Sequence, residues 1–247
     1  QTDQQIGEYF ESLKPIWNGS TNEKVLLWRE QGIGDEIMFS SMISELQSNS
    51  KKLIIECDQR LIPLFKRSFP NNIKYVTNRN KVYEGHYNSH LPIGSLPLHF
   101  RKNTNDFTIS SKGWLQSDPH KSNDIRKKII NDKNRKIIGI SWKTNSILTD
   151  KIQRNIELEK LLQPLKKLGT EFVSLQYGKT SEEISNLRSK YGIDVLEIPE
   201  INLYNDIDGL ASIISACDCV VSIDNVTPHL AGALGVDTYL LLPFVAD

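Results

Sequence analysis

The sequence is poor in cysteine and lacks any long apolar run. Its three cysteines, Cys57, Cys217 and Cys219, cannot all pair and have no Cys-x-x-Cys spacing, so we expect free thiols in a reducing compartment. The apolar stretches have the length of strands, and residues 1–12 are polar and acidic. Both features disfavour a transmembrane segment or a signal peptide. We therefore expect a cytoplasmic protein, or one that is peripheral at the inner membrane.

Several catalytic signatures are also missing. The chain contains no GxxxxGK[ST] phosphate-binding loop, no HExxH zinc motif and no GxSxG nucleophile motif. His86, His90 and His99 share one segment but lack the helical spacing of metal ligands. We expect no metal site and no cofactor.

The charges balance. Lysine plus arginine and aspartate plus glutamate number 30 each, which gives a formal net charge of zero. A general nucleic-acid partner is therefore disfavoured, because such proteins carry a basic footprint. A local basic pocket for a phosphorylated small molecule remains compatible with this balance.

Short apolar runs alternate with amphipathic stretches, a pattern typical of βαβ units and parallel sheets. The pattern restarts after the polar, lysine-rich segment 103–134, which we interpret as a solvated face or a linker with one plausible helix at residues 122–130. We place the domain boundary near Asp132. The alternating pattern predicts an α/β protein with two doubly wound, Rossmann-like domains that face each other across a cleft. The first domain spans residues 1–132, with a lead segment at 1–23, and the second spans 133–247 and is expected to be truncated at its C-terminus. Strands are predicted at residues 25–28, 53–55, 73–76, 137–141, 172–175, 195–198, 219–223 and 238–242. The prolines and glycine in residues 83–100 predict loops or the start of a short helix.

The first candidate site is Gly32-Ile33-Gly34-Asp35, between a strand and a helix. We expect the two glycines to let the backbone turn sharply and approach a ligand at the helix N-terminus. This is not the dinucleotide fingerprint, because Ile37 stands where the third glycine would be. Asp35 suits either a helix cap or a catalytic carboxylate that points into the cleft.

The second candidate site lies where a later strand meets a helix. Asp224, Asn225 and Thr227 end the strand, and Pro228 and His229 open the helix. Polar side chains gathered at such a junction favour binding of a phosphate over a purely structural role.

Two further loops are expected at the same sheet edge. Lys151 and Arg154 could neutralise a diphosphate in place of a metal, although each could also be a solvated surface residue. Tyr177 precedes Gly178 after another strand, and its ring could stack on a base or cover the core.

These motifs occur in the order seen in a known family. The segments LWREQGIGDEIMF (27–39), LPIGSLP (91–97), VSLQYG (173–178) and 224–235 resemble family 9 glycosyltransferases, the ADP-heptose:lipopolysaccharide heptosyltransferase-like domains of the type found in tetratricopeptide-repeat proteins. Asn225-Val226 departs from the Thr-Gly or Thr-Ala that is common after the aspartate in that family.

The resemblance implies a GT-B fold and an inverting, metal-independent transfer from a nucleotide-diphosphate sugar to a hydroxyl. Asp35 matches the family's proposed general base, and Asp224 and His229 match its donor-phosphate motif; Gly32, Gly34 and Ser95 are expected on the acceptor side. The expected partners are the nucleotide-sugar donor, a glycan, lipid-linked or protein acceptor, and a covalently linked tetratricopeptide region in a longer protein. Two alternatives remain open: a catalytically silent nucleotide-sugar-binding or scaffold domain, and a sugar-nucleotide epimerase.

Overall fold

The computed structural model describes residues 10–107, 112–130, 135–144 and 154–243. Contacts between Cα atoms divide the chain into two compact units, residues 1–110 and 111–247. Each unit is built around a parallel β-sheet with helices in the connections. The predicted α/β class, with two doubly wound, Rossmann-like parts, is confirmed.

The first unit has a four-stranded parallel sheet in the order β3-β2-β1-β4. Its strands are β1 (Glu23–Trp28), β2 (Ser50–Glu56), β3 (Lys74–Val76) and β4 (Ser89–Pro92). Its helices are α1 (Ile33–Phe39), α2 (Ile43–Asn49), α3 (Ile62–Ser68) and α4 (Pro97–Phe100). A 3-10 turn, Ser40–Met42, separates α1 from α2.

The runs of apolar residues in β1 and β2 follow from burial of a parallel sheet on both faces. Val25, Leu26 and Leu27 have no exposed surface. Leu26 and Trp28 pack with Phe10, Ile54 and Tyr87 in a core cluster. This core fixes where β1 ends, and therefore where the polar residues after it emerge.

Strand β4 lies in the segment 83–100, for which the sequence predicted loops or the start of a short helix; the short helix is α4, but the strand was not predicted. Its sequence, Ser-His-Leu-Pro, has a polar half and ends in proline, which hides the usual strand pattern. The buried His90 is satisfied by specific contacts: its Nδ1 accepts a hydrogen bond from the Trp28 indole at 3.1 Å. Its backbone pairs with the segment before β1 through Trp17 and Pro15. Tertiary contacts, rather than local preference, make this strand.

The second unit has a five-stranded parallel sheet in the order β7-β6-β5-β8-β9. Its strands are β5 (Ile137–Ser141), β6 (Glu171–Ser174), β7 (Val195–Leu196), β8 (Cys219–Ile223) and β9 (Thr238–Leu241). The helices of this unit are α5 (Pro119–Ile129), α6 (Leu158–Leu162), α7 (Ser181–Tyr191), α8 (Ile207–Ala216) and α9 (Val226–Ala233).

Helix α5 belongs to the second unit. The Arg126 guanidinium donates to the Ala216 carbonyl at 2.6 Å and pairs with Asp218 at 3.0 Å, and the Trp114 amide donates to the Ala233 carbonyl. The boundary between the two units, after residue 110, thus precedes this helix, whereas the boundary predicted near Asp132 follows it. The helix predicted at residues 122–130 is present as part of α5, and the lysine-rich run includes its solvated face, the other face being buried.

Candidate functional site

The glycine loop of the first unit lies at the carboxyl end of β1. Gly32 is the N-cap residue of α1 and has an extended backbone (φ −72°), and neither Gly32 nor Gly34 has a positive φ. The backbone conformation therefore does not require glycine at these positions, contrary to the sharp turn we expected. What Gly32 contributes is open space, because an added Cβ would meet only the Asp35 carboxylate, at 3.5 Å.

Asp35 caps its own helix. Its Oδ2 accepts a hydrogen bond from the Gly32 N–H at 3.1 Å, and its N–H donates to the Gly32 carbonyl. The side chain is half-buried. The capping contact is therefore present, and a role for the carboxylate as a base stays a prediction that this contact does not oppose.

Strands β1 and β4 are neighbours in the first sheet, and the turn Ile93–Ser95 follows β4 directly. In doubly wound sheets, ligands bind beyond the carboxyl ends of the strands, where the strand order reverses. The order β3-β2-β1-β4 reverses between β1 and β4. The half-buried Ser95, expected on the acceptor side, lies on this turn.

A buried network of charged groups lies at the ends of β1 and β2, and none of the sequence motifs includes it as a site. Oε2 of Glu36 accepts the Asp58 N–H at 2.8 Å, and Oε1 lies 3.5 Å from Nη1 of Arg29. Burial is the largest influence on Glu36 and raises its pKa to about 8, although the Arg29 charge opposes this. Glu56 pairs with Arg79 at 2.8 Å in the same network. The sequence carried only part of the signal: Arg29 and Asp58 come within two residues of the ends of β1 and β2, whereas Glu36 lies in α1.

The second unit has its own reversal of strand order, between β5 and β8. Asn225 spans this point: its Oδ1 accepts the Thr227 N–H at 2.9 Å, and its Nδ2 donates to Oγ of Ser141 at 2.8 Å. One side chain thus caps α9 and ties the ends of the two strands together. Asp224, just before it, pairs with Arg154 at 3.2 Å. The structure therefore brings Arg154, Asp224 and Asn225 together at this edge.

Thr227 and His229 lie on α9. Thr227 is buried, and its N–H donates to the Asn225 cap. Little of this residue is therefore accessible for the contact with a donor that we expected. His229 is half-buried, and no hydrogen bond to its ring is present among residues 10–107, 112–130, 135–144 and 154–243. Lys151 lies outside the described residues.

Gln176 was missed by the sequence analysis. Its Oε1 accepts the N–H groups of Trp142, at 3.0 Å, and Lys143, at 2.9 Å, and it thereby fixes the loop after β5. Lys143 itself is turned toward Glu183, with Nζ 2.9 Å from the carboxylate. A buried glutamine at a strand end carries no signal of this role in a single sequence.

Tyr177 and Gly178 line a cavity of about 570 Å³ within the second unit. Gly178 has φ +95°, a left-handed conformation that favours glycine, and it turns the chain away after Tyr177. The Tyr177 and Tyr204 rings lie 5.6 Å apart, and Thr180, Glu197 and Asn202 add polar groups to the wall. The cavity is large enough, and mixed enough in polarity, for a nucleobase and its ribose.

In the described part of the chain, no three His, Cys, Asp or Glu residues come together as potential metal ligands. The Asp-x-Asp triplet at 206–208 begins α8, where the Asp206 carboxylate accepts the Gly209 N–H at 2.7 Å and pairs with Lys121. None of the described helices is long and apolar enough to span a bilayer.

Comparison with solved structures identifies the fold. A family 9 glycosyltransferase from Veillonella parvula superposes with a TM-score of 0.65 at 10% identity, over 92% of this chain and 83% of that one. ADP-heptose LPS heptosyltransferase II of E. coli gives a TM-score of 0.60 at 15% identity, over 88% and 84%. The fold is that of GT-B glycosyltransferases. At these identities the likeness concerns the fold alone.

Sequence comparison adds one relative. The chain is 27% identical over 243 residues to protein FlbA of Caulobacter vibrioides, which covers 91% of this chain and 40% of FlbA. The chain thus spans less than half of that protein's length. No protein-family model matches the chain.

Proposed function

We propose that this chain is a glycosyltransferase domain that moves a sugar from a nucleoside-diphosphate donor to a hydroxyl acceptor, with inversion and without a metal. The observation that carries the proposal is the arrangement at the β5–β8 edge. There, Arg154 and the capped N-terminus of α9 meet at the point of the sheet where ligands bind in doubly wound folds. The GT-B fold of the solved neighbours supports the same conclusion.

The donor's diphosphate would bind at this edge. Helix α9 offers few amides, because the Thr227 N–H is taken by Asn225 and Pro228 has none, which leaves the N–H of Val226 in the first turn. Cationic side chains must therefore supply most of the charge, from Arg154 and the predicted Lys151. Arg154 can turn part of its guanidinium from Asp224 to a phosphate, since a quarter of its side chain is exposed (27%). The donor's nucleobase would occupy the neighbouring cavity and lie against Tyr177.

The reaction would be a single displacement. The Asp35 carboxylate takes the proton of the acceptor hydroxyl while the oxygen attacks the anomeric carbon. The bond from that carbon to the donor's phosphate oxygen breaks, and the nucleoside diphosphate leaves with the electron pair. Arg154, Lys151 and the α9 dipole stabilise the charge that develops on it. The acceptor class, the tetratricopeptide region and the cellular location expected from the resemblance stay predictions.

Calorimetry with ADP, GDP and UDP in the presence of chelator tests the proposal. We expect the wild type to bind at least one of them, and Arg154→Ala, alone and with Lys151→Ala, to weaken binding about tenfold or more, the usual effect of losing a charge-assisted hydrogen bond. Arg188→Ala, on the exposed face of α7, is the matched control and should bind as the wild type does. Equal affinity in all variants would remove these residues from the site, and no binding of any diphosphate would contradict the proposed function. Binding without transfer would favour a silent binding domain.

A further inference from the structure

Glu30 occupies the point of strand reversal in the first unit. It follows β1, and its carboxylate lies against the turn after β4: a Cβ added to Gly94 would come within 2.6 Å of Glu30 Oε1 and 3.4 Å of Cδ. Gly94 has no positive φ, so its backbone does not require glycine. The missing side chain at Gly94 is what makes room for the Glu30 carboxylate between the ends of β1 and β4.

This carboxylate differs from its charged neighbours. Arg29, Glu36, Glu56 and Asp58 are each held by ion pairs or hydrogen bonds. For Glu30, none is present in the part of the chain that the structure describes. Partial burial, and then the negative charge of Asp35, raise the pKa of Glu30. A half-buried carboxylate without a partner, beside a second carboxylate, retains its full capacity to accept hydrogen bonds from a ligand.

We propose that Glu30 binds the acceptor, by accepting a hydrogen bond from a hydroxyl next to the one that attacks. Two carboxylates repel an anionic group, so the acceptor presents an uncharged, hydroxyl-rich sugar at this place and no phosphate or carboxylate. Gly94 is part of this specificity because it leaves the space that Glu30 fills. The inference rests on the proposed function and adds the class of acceptor to it.

The test uses neutral methyl glycosides as acceptors and follows release of nucleoside diphosphate from the nucleotide sugar whose diphosphate binds. We expect Glu30→Gln to raise the KM for the best glycoside about tenfold, since a hydrogen bond to a charged group is lost. We expect a smaller change in kcat and an unchanged affinity for the diphosphate. Gly94→Ala should act in the same direction, because its methyl group displaces a flexible carboxylate without disturbing the backbone. Gly85→Ala places a methyl group against the flexible, exposed Tyr83 of the same unit and should leave KM unchanged.

The outcomes separate this inference from the proposed function. An unchanged KM in Glu30→Gln and Gly94→Ala, with wild-type transfer intact, contradicts the inference alone. So does a wild type that transfers sugar to a phosphorylated or carboxylated glycoside but to no neutral one, or a Glu30→Gln variant that loses kcat at constant KM. A wild type that binds no nucleoside diphosphate contradicts the proposed function. If Glu30→Gln fails to fold, Gly94→Ala and its control decide the question.

Discussion

Asp35 combines two roles that a single carboxylate can hold at once. One oxygen, Oδ2, caps α1 through the Gly32 N–H. A carboxylate has a second oxygen with its own lone pairs, which can accept a proton from an acceptor hydroxyl. Capping would then fix the orientation of the base, since the side chain cannot rotate without losing its hydrogen bond. Structure and catalysis are therefore compatible at this residue.

Substitution can separate these two roles. In Asp35→Asn, the amide oxygen still accepts the Gly32 N–H, but the proton acceptor is lost. We expect the free energy of unfolding of the variant to lie within about 0.5 kcal/mol of the wild-type value. The rate of sugar transfer should fall by a factor of roughly 10² or more. Asp35→Ala is the control that removes both roles and should be less stable as well as inactive. An asparagine variant that transfers sugar at the wild-type rate per folded molecule would leave Asp35 as a cap only.

At the scale of elements, the two units have different polar side chains at the point where the strand order reverses. Each sheet reverses its order between its first and fourth strands, which leaves a crevice beyond their ends. In the second unit Asn225 spans the reversal point by donating a hydrogen bond to Ser141, and in the first unit the Glu30 carboxylate fills the space left at Gly94. A polar side chain is thus placed where a ligand arrives in each unit.

Asn225 also stabilises α9, and this can be measured. In Asn225→Ala both the cap and the donor to Ser141 are lost, so we expect a loss of about 1–2 kcal/mol in the free energy of unfolding. Asn225→Asp keeps an oxygen for the cap and should recover most of that loss. Its added negative charge should nevertheless weaken nucleoside-diphosphate binding. Urea unfolding and calorimetry on the three proteins provide the measurements, and an alanine variant as stable as the wild type would contradict the role of the cap.

Local patterns predicted most of the elements, because buried parallel strands have distinctive apolar runs and Gly192 and Gly235 take the positive φ expected after a helix. Strand β4 escaped prediction because its polar residues are satisfied by partners far away in sequence, such as Trp28 for His90. In the candidate site, residues at strand–helix junctions could be named from the sequence. Gln176 and Glu30 could not, because their importance depends on which backbone or glycine lies opposite them.

At the scale of the whole molecule, the formal net charge is zero, but individual carboxyl groups lie in very different environments. The first unit buries Glu36, and this burial raises its pKa to about 8 even though the charge of Arg29 opposes the shift. In Asp58, burial alone would raise the pKa, but hydrogen bonds from Arg60 and its charge lower it below the usual value. These two carboxyl groups therefore affect stability in different pH ranges and with opposite signs.

Glu36 should make the first unit less stable as the pH rises. Between about pH 4.5 and pH 8 the folded chain holds a proton on Glu36 that the unfolded chain has lost, so its contribution falls by up to about 1.4 kcal/mol per pH unit in this window. Glu36→Gln cannot ionise, and it should flatten this dependence and be the more stable protein at pH 8. The measurement is urea unfolding at pH 5.5 and pH 8, with the folded fraction of β1 and β2 read by a brief hydrogen-exchange pulse at one fixed pH. The exposed Glu11→Gln is the control and should keep the wild-type slope. A Glu36→Gln variant that loses stability with pH as steeply as the wild type would show that Glu36 is ionised in the folded protein at neutral pH, held by Arg29.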